Sequence, residues 1–122
     1  MNLNKKKAIL IKFWKEKSKE HHIERYSFSF SMRHWAMAWC RFDKEEIVMS
    51  ELWVEANTIE DLKQIVLHEI AHAITESRHT KEFRRVAREI GCEDHHIRVY
   101  SKHRWDNRVI PVLSEKYNNA YQ

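Results

Sequence analysis

The chain contains few of the residues that mark flexible, covalently braced or membrane-spanning proteins. Its 122 residues include 1 Gly, 1 Pro and 2 Cys. Scarce Gly and Pro exclude a long disordered linker and a collagen-like repeat, and two cysteines cannot form a disulfide framework. No apolar run approaches the roughly 20 residues that span a bilayer, and the run at 8–11 is too short for a secretory signal. We therefore expect a single cytoplasmic domain over residues 1–122 with no membrane partner. A monomer is favoured, although the sequence does not define the oligomeric state.

Charge is segregated along the chain, although the net charge is only +4. Residues 1–20 carry seven lysines and two glutamates, giving +5, whereas residues 43–62 carry seven acids and one lysine, giving −6. Residues 78–108 carry nine Lys or Arg and five acids, giving +4. Two basic stretches on one face would attract phosphate backbones, but solvated helix faces also explain such clusters. The charge pattern alone therefore does not identify a nucleic-acid binder.

The first half of the chain has the apolar periodicity of one helix followed by strands. A broad apolar arc predicts an amphipathic helix over residues 3–20. Alternating aromatic and serine residues predict a strand at 26–31. Apolar segments at 35–40 and 46–49 are separated by a polar turn, which predicts a hairpin. These elements indicate an α+β fold.

The second half contains the most strongly helical segment. Residues 58–76 have apolar side chains at three- and four-residue spacing, and Thr58 is a suitable N-cap. A further helix is predicted over 80–90, with Gly91 as its stop. Residues 92–122 are less periodic, and no second domain or repeat is visible.

A His-Glu-x-x-His arrangement lies within the 58–76 helix, formed by His68, Glu69 and His72. Two histidines four residues apart project from one helix face and can reach a single metal ion. Glu69 lies slightly round the helix, where its carboxylate can reach water on that ion without being a ligand. Zn²⁺ lowers the pKa of such water and polarises the scissile carbonyl, and Glu69 would pass the water proton to the leaving amine. The arrangement therefore predicts a zinc metallopeptidase.

A catalytic zinc ion requires a third protein ligand and an open fourth position. His79 is the best candidate, because a short loop would let the chain turn back toward His72. Glu82 or Glu89 would instead give a set of two histidines and one glutamate. Rival third ligands are also present at Glu76, Cys92, His95 and His96.

The segment after His72 resembles a known family. His68 to His72, followed by His79-Thr80-Lys81-Glu82-Phe83, is similar to the SprT-like (Spartan-type) metallopeptidase domain, in which HExxH precedes a variable loop and His-Gly-x-x-Phe/Trp. The resemblance covers about residues 5–92, leaving 93–122 as a basic C-terminal extension. It implies a zincin-like α+β fold, in which a small twisted β-sheet packs on the HExxH helix and two or three further helices.

The resemblance also implies the site and the substrate. His68, His72 and His79 would be the zinc ligands and Glu69 the general base, and the substrates would be proteins bound or crosslinked to DNA, as in DNA–protein crosslink repair. Thr80 stands where the family has Gly, so we expect a different loop backbone. Only one Cys follows residue 40, so we do not expect the C-terminal four-Cys zinc ribbon of many relatives.

The substrate contacts are less well defined by the sequence. Tyr100, His96 and Arg98 are candidates for stabilising the oxyanion or binding substrate, and the tail aromatics could stack on single-stranded DNA. An extended peptide is expected along an exposed edge strand, either 35–40 or 46–50. Core packing is the expected use of the tryptophans nearby, Trp35, Trp39 and Trp53.

A second function is compatible with the same residues, that of a nucleic-acid-binding accessory protein, for instance one encoded by a phage, whose zinc site is purely structural. Such a site would be closed by a fourth ligand, either Cys92 or a histidine of the tail. Glu69 would then have no catalytic part to play.

Overall fold

A computed structural model describes residues 1–33 and 35–100, without the side chains of 98–100. Helices and strands are both present in this part of the chain, so the predicted α+β class is confirmed. Five helices are found instead of the expected three or four, because two of them span only six or seven residues and show no readable periodicity. The elements are α1 (Leu3–Glu20), β1 (Ser27–Ser31), β2 (Ala38–Arg41), β3 (Glu46–Ser50), α2 (Glu51–Ala56), α3 (Ile59–Thr75), α4 (Lys81–Glu89) and α5 (Asp94–Tyr100).

The two longest helices, α1 and α3, begin at polar side chains that cap their first turn. The Oδ1 atom of Asn2 accepts the Lys5 amide of α1 at 2.8 Å, and Thr58 Oγ1 accepts the Asp61 amide of α3 at 3.2 Å. Each bond satisfies a backbone donor that has no partner within the helix. The predicted start of the HExxH helix at Thr58 is thereby confirmed.

The strands form one sheet in the order β1-β3-β2. Strand β2 pairs antiparallel with β3, which confirms the predicted hairpin, and β1 pairs parallel with β3. Because β1 covers the second side of β3, the expectation that residues 46–50 form an exposed edge is wrong. Strand β2 is the edge strand of this hairpin, and it packs against α3.

Helix α3 lies between two apolar clusters. The sheet cluster joins α3 to α1, α2 and the strands through Leu10, Trp14, Ile23, Tyr26, Met37, Ala38, Cys40, Ile47, Met49, Leu52, Trp53, Val54, Leu62, Ile65, Val66, Ile70 and Ala73. The α4 cluster covers the other side of α3 and consists of Leu67, Ala71, Phe83, Val86, Ala87, Cys92 and Ile97. Apolar burial on both sides fixes the position of α3.

The tryptophans before α3 have different environments. Trp53 is buried in the sheet cluster, as expected. Trp35 is 57% exposed, against the expectation of core packing, and its ring centroid lies 4.7 Å from that of Trp39. The reason is that residues 35–37 form a bend before β2, so the pleat does not direct Trp35 inward. None of the helices in the described ranges is both long and apolar enough to cross a bilayer.

Candidate metal centre

Helix α3 positions the first two histidines of the site. His68 and His72 are four residues apart, their ring centroids are separated by 4.9 Å, and their side chains are 0% and 1% exposed. They lie on the side of the helix that faces α4. Neutral imidazole is the form of histidine that binds a metal ion.

His79 completes the cluster from the loop between α3 and α4. Its ring centroid lies 5.4 Å from that of His68 and 4.8 Å from that of His72. One ligand atom from each ring lies within 4.8 Å of the other two. Tetrahedral coordination at Zn–N distances near 2.0–2.1 Å needs separations of roughly 3.3 Å between ligand atoms, and the three imidazoles are near this spacing. The donor set therefore fits a divalent transition metal ion.

Several contacts hold the loop that carries His79. Glu76, at the C-terminal end of α3, adopts a left-handed conformation with φ of 45°. Its carboxylate accepts hydrogen bonds from the Tyr26 hydroxyl and the Arg25 guanidinium, both at 3.2 Å. The chain therefore reverses direction at a point that is tied to the sheet side of the fold, and His79 returns toward α3.

Thr80 ends this loop and begins α4. Its Oγ1 accepts the Phe83 amide at 3.2 Å and lies 3.0 Å from the Ser77 hydroxyl. Its φ of −79° and ψ of 172° are extended backbone, which a residue with a side chain readily adopts. The loop therefore does not need the conformational freedom of the family's glycine, and Thr80 supplies a helix cap instead.

The carbonyl of Ser77 determines the tautomer of His72. It lies 2.8 Å from His72 Nδ1, and because a carbonyl only accepts, Nδ1 carries the proton. The lone pair is then on Nε2, the atom available to a metal ion. A carbonyl that orients an imidazole in this way is the usual support for a metal-binding histidine.

Phe83 packs against all three imidazoles. Its ring stacks on His72 at 4.2 Å between centroids and meets His68 and His79 nearly edge-on at 4.9 and 5.2 Å. The side chain is completely buried. The sequence pattern predicted Phe83 on the core face of α4 and within the family motif. It did not predict that the ring contacts all three imidazoles.

Glu69 is buried beside the triad on the same helix. Burial raises the pKa of its carboxyl to about 8, and the positive charge of Arg78 opposes this shift. A cation held by the triad would also lower that pKa. The pKa of His79 is lowered by burial and then by the charges of Arg78 and Arg84, which favours the neutral ligand form.

The rival ligands do not join the triad in the described residues. The group formed by His68, His72 and His79 includes no fourth His, Cys, Asp or Glu. Glu76 is bonded to Tyr26 and Arg25, Glu82 and His95 are exposed on α4 and α5, Glu89 pairs with Arg85, and Cys92 Sγ points to the Gln64 carbonyl.

The three residues predicted to contact the oxyanion or substrate lie on α5. The His96 ring nitrogen is 3.2 Å from the Asp61 carboxylate, about two helical turns before His68 on α3. The side chains of Tyr100 and Arg98 lie outside the described residues. Their part in substrate binding remains a prediction.

Comparison with known proteins gives a family for this chain. The sequence model of the SprT-like family matches residues 7–103, a span that includes α3, the triad and α4. Searches of curated proteins and of solved structures give no significant match. The SprT-like family is associated with metallopeptidase activity. The match and the motif it covers show that the chain belongs to the SprT-like family.

Proposed function

We propose that the protein is a Zn²⁺-dependent endopeptidase of the zincin type. The observation that carries this proposal is the convergence of three imidazoles from α3 and the following loop, with Glu69 beside them. Three protein ligands leave one coordination position for water or substrate, as catalytic zinc sites require. A structural site would require a fourth protein ligand, and none lies with the three histidines among the described residues.

Each residue of the site has a part in peptide hydrolysis. His68, His72 and His79 would hold the ion, which when bound acts as a Lewis acid toward water and the scissile carbonyl. Glu69 accepts the proton of the attacking water and donates it to the departing amine. Phe83 and the α4 cluster exclude water from the inner side of the triad, and this strengthens electrostatic interactions there.

The substrates we propose are proteins bound or crosslinked to DNA. The support comes from the SprT-like family membership and from the lysines of α1. Lys12, Lys15 and Lys19 are exposed on that helix, where they could approach phosphates. Such a surface would bring DNA and the proteins on it close to the enzyme.

The test compares zinc-loaded wild type with Glu69→Gln on casein, with and without single-stranded DNA. We expect Glu69→Gln to keep its zinc and to lose at least about a hundredfold in cleavage rate, since proton transfer contributes that much. Glu60→Gln is the matched control, because Glu60 is an exposed glutamate in the first turn of the same helix. If wild type and Glu69→Gln are equally inert with zinc bound, the site is structural and the proposal is wrong.

A further inference from the structure

Arg78, the residue before His79, is held against the edge strand of the sheet. Its Nη1 donates to the carbonyl of Cys40 in β2 at 3.1 Å. The guanidinium carbon lies 4.5 Å from the centroid of the Phe42 ring. These two contacts fix an exposed side chain along the outer edge of β2, on the side that is not paired with β3.

The guanidinium also lies within electrostatic reach of the site. Its charge acts against the rise in the pKa of Glu69 and adds to the fall in the pKa of His79. The Cys40 thiol, whose pKa is raised by burial, responds to Glu69 and to Arg78 as well. Arg78 therefore links the loop of His79 to the edge strand β2, within electrostatic range of Glu69.

Within the described residues, Arg78 donates to a backbone carbonyl and forms no ion pair with a carboxylate. Arg25, Arg41, Arg85 and Arg88 each form an ion pair, whereas no acid of the described ranges lies within 4.0 Å of the Arg78 guanidinium. Arg84, the second cation that acts on His79, donates to the His79 carbonyl at 2.8 Å. Arg78 and Arg84 are thus the two cations that act on His79, while the Glu69 carboxyl is fully buried.

We propose that Arg78 binds the substrate and gives the enzyme a preference for peptides with an aspartate or glutamate close to the cleaved bond. The inference rests on the proposed peptidase function. A guanidinium offers a planar set of donors that matches a carboxylate. Since Cys40 and Phe42 already hold the side chain in place, little conformational entropy is lost when a carboxylate binds.

The first experiment uses fluorogenic peptides that differ only in a Glu, Gln or Lys beside the cleaved bond. Wild type should cleave the Glu peptide with a kcat/KM about three- to tenfold above that of the Gln peptide, the size expected for a partly exposed ion pair. Arg78→Gln should abolish this difference, and Arg78→Glu should reverse it in favour of Lys. Arg85→Gln, which removes an exposed arginine of α4, should retain the wild-type preference.

The second experiment measures binding without cleavage. In the Glu69→Gln protein, fluorescence anisotropy of the labelled Glu peptide should give a Kd that rises about three- to tenfold when Arg78→Gln is added, with no change for the Gln peptide. The effect of Arg78→Gln on the Kd of the Glu peptide should be smaller in high salt. Zinc content and the thermal unfolding midpoint of the Arg78 variants show whether the loop has remained intact.

Two results would overturn the assignment of Arg78. If Arg78→Gln lowered kcat/KM equally for the Glu and Gln peptides, Arg78 would serve only to hold the loop against β2. If a single-stranded oligonucleotide bound in an Arg78-dependent way and no peptide preference were seen, the guanidinium would bind phosphates and not substrate carboxylates. If wild type cleaved none of the peptides, the proposed function would be contradicted. The binding experiment would still decide whether Arg78 recognises carboxylates.

Discussion

The two sides of α3 are built from different chemistry. Toward the sheet, the helix presents aliphatic residues such as Leu62, Val66 and Ile70, which pack in the sheet cluster. Toward α4 it presents the imidazoles of His68 and His72 among a smaller set of apolar residues, and Glu69 is buried next to them in the sequence of the helix. One helix therefore supplies stability on one side and the reactive groups on the other.

The difference shows how a small domain can tolerate a buried polar site. Burying imidazoles and a carboxyl costs free energy unless they are hydrogen-bonded, neutral or bound to a metal. The raised pKa of Glu69 and the Ser77 carbonyl on His72 are two forms of this compensation. The larger sheet cluster keeps α3 in place, whereas the buried imidazoles on the α4 side contribute an unfavourable free energy of burial. Mutations on the two sides should therefore have different effects.

The largest effect on folding is expected at Trp53. Replacing this fully buried side chain with Ala should lower the free energy of unfolding by about 3–5 kcal/mol, measured by urea denaturation followed by circular dichroism. The zinc affinity of the molecules that remain folded should not change. Trp35→Ala is the control, since this side chain is 57% exposed and loss of its contact with Trp39 should cost only about 1 kcal/mol. Similar losses for both variants would contradict the distinction between the sheet cluster and the surface.

A mutation on the α4 side should affect folding less and the metal more. Phe83→Leu keeps an apolar side chain, so the free energy of unfolding should fall by only about 1.5 kcal/mol. Loss of the ring that packs on all three imidazoles should weaken zinc binding by about tenfold, measured by competition with a chelating dye. Val86→Ala on the same helix should destabilise the fold without this loss. Equal zinc affinities in the two variants would contradict a supporting role for Phe83.

The smallest effect is expected at the helix caps. Thr58→Ala and Thr80→Ala each remove an N-cap and should each cost about 1 kcal/mol in urea denaturation. Only Thr80→Ala should also weaken zinc binding, because Thr80 contacts Ser77, whose carbonyl orients His72. Thr80→Gly should cost only a few tenths of a kcal/mol. If Thr58→Ala weakened zinc binding as much as Thr80→Ala, the loop would not be what sets the ligand geometry.

Features encoded by local spacing were predictable from the sequence. The α3 helix, its Thr58 cap and the i, i+4 pair of histidines depend on residues within a few turns. The β2–β3 hairpin is also local, since a short turn joins its strands. Hence the sequence predicted the helix that carries the motif.

Features that depend on distant contacts were not predictable in the same way. Strand β1 pairs in parallel with β3 and not with β2, the next strand in the sequence. No apolar periodicity specifies this choice of partner. The bond from Arg78 to the Cys40 carbonyl joins residues 38 positions apart, and only the folded chain brings Phe83 against His68. Edge assignment, loop anchoring and the charge at the site therefore required the structure.

The most direct test of the metal centre is the zinc stoichiometry and affinity of wild type and three variants, measured by isothermal titration calorimetry and elemental analysis. Wild type and Glu69→Gln should each bind one zinc ion per chain with similar affinity, because Glu69 is not a ligand. His72→Ala and His79→Ala should lose at least about a hundredfold in affinity while remaining folded. Unchanged affinity in His79→Ala, or loss of zinc in Glu69→Gln, would contradict the assignment of the three histidines as the metal ligands.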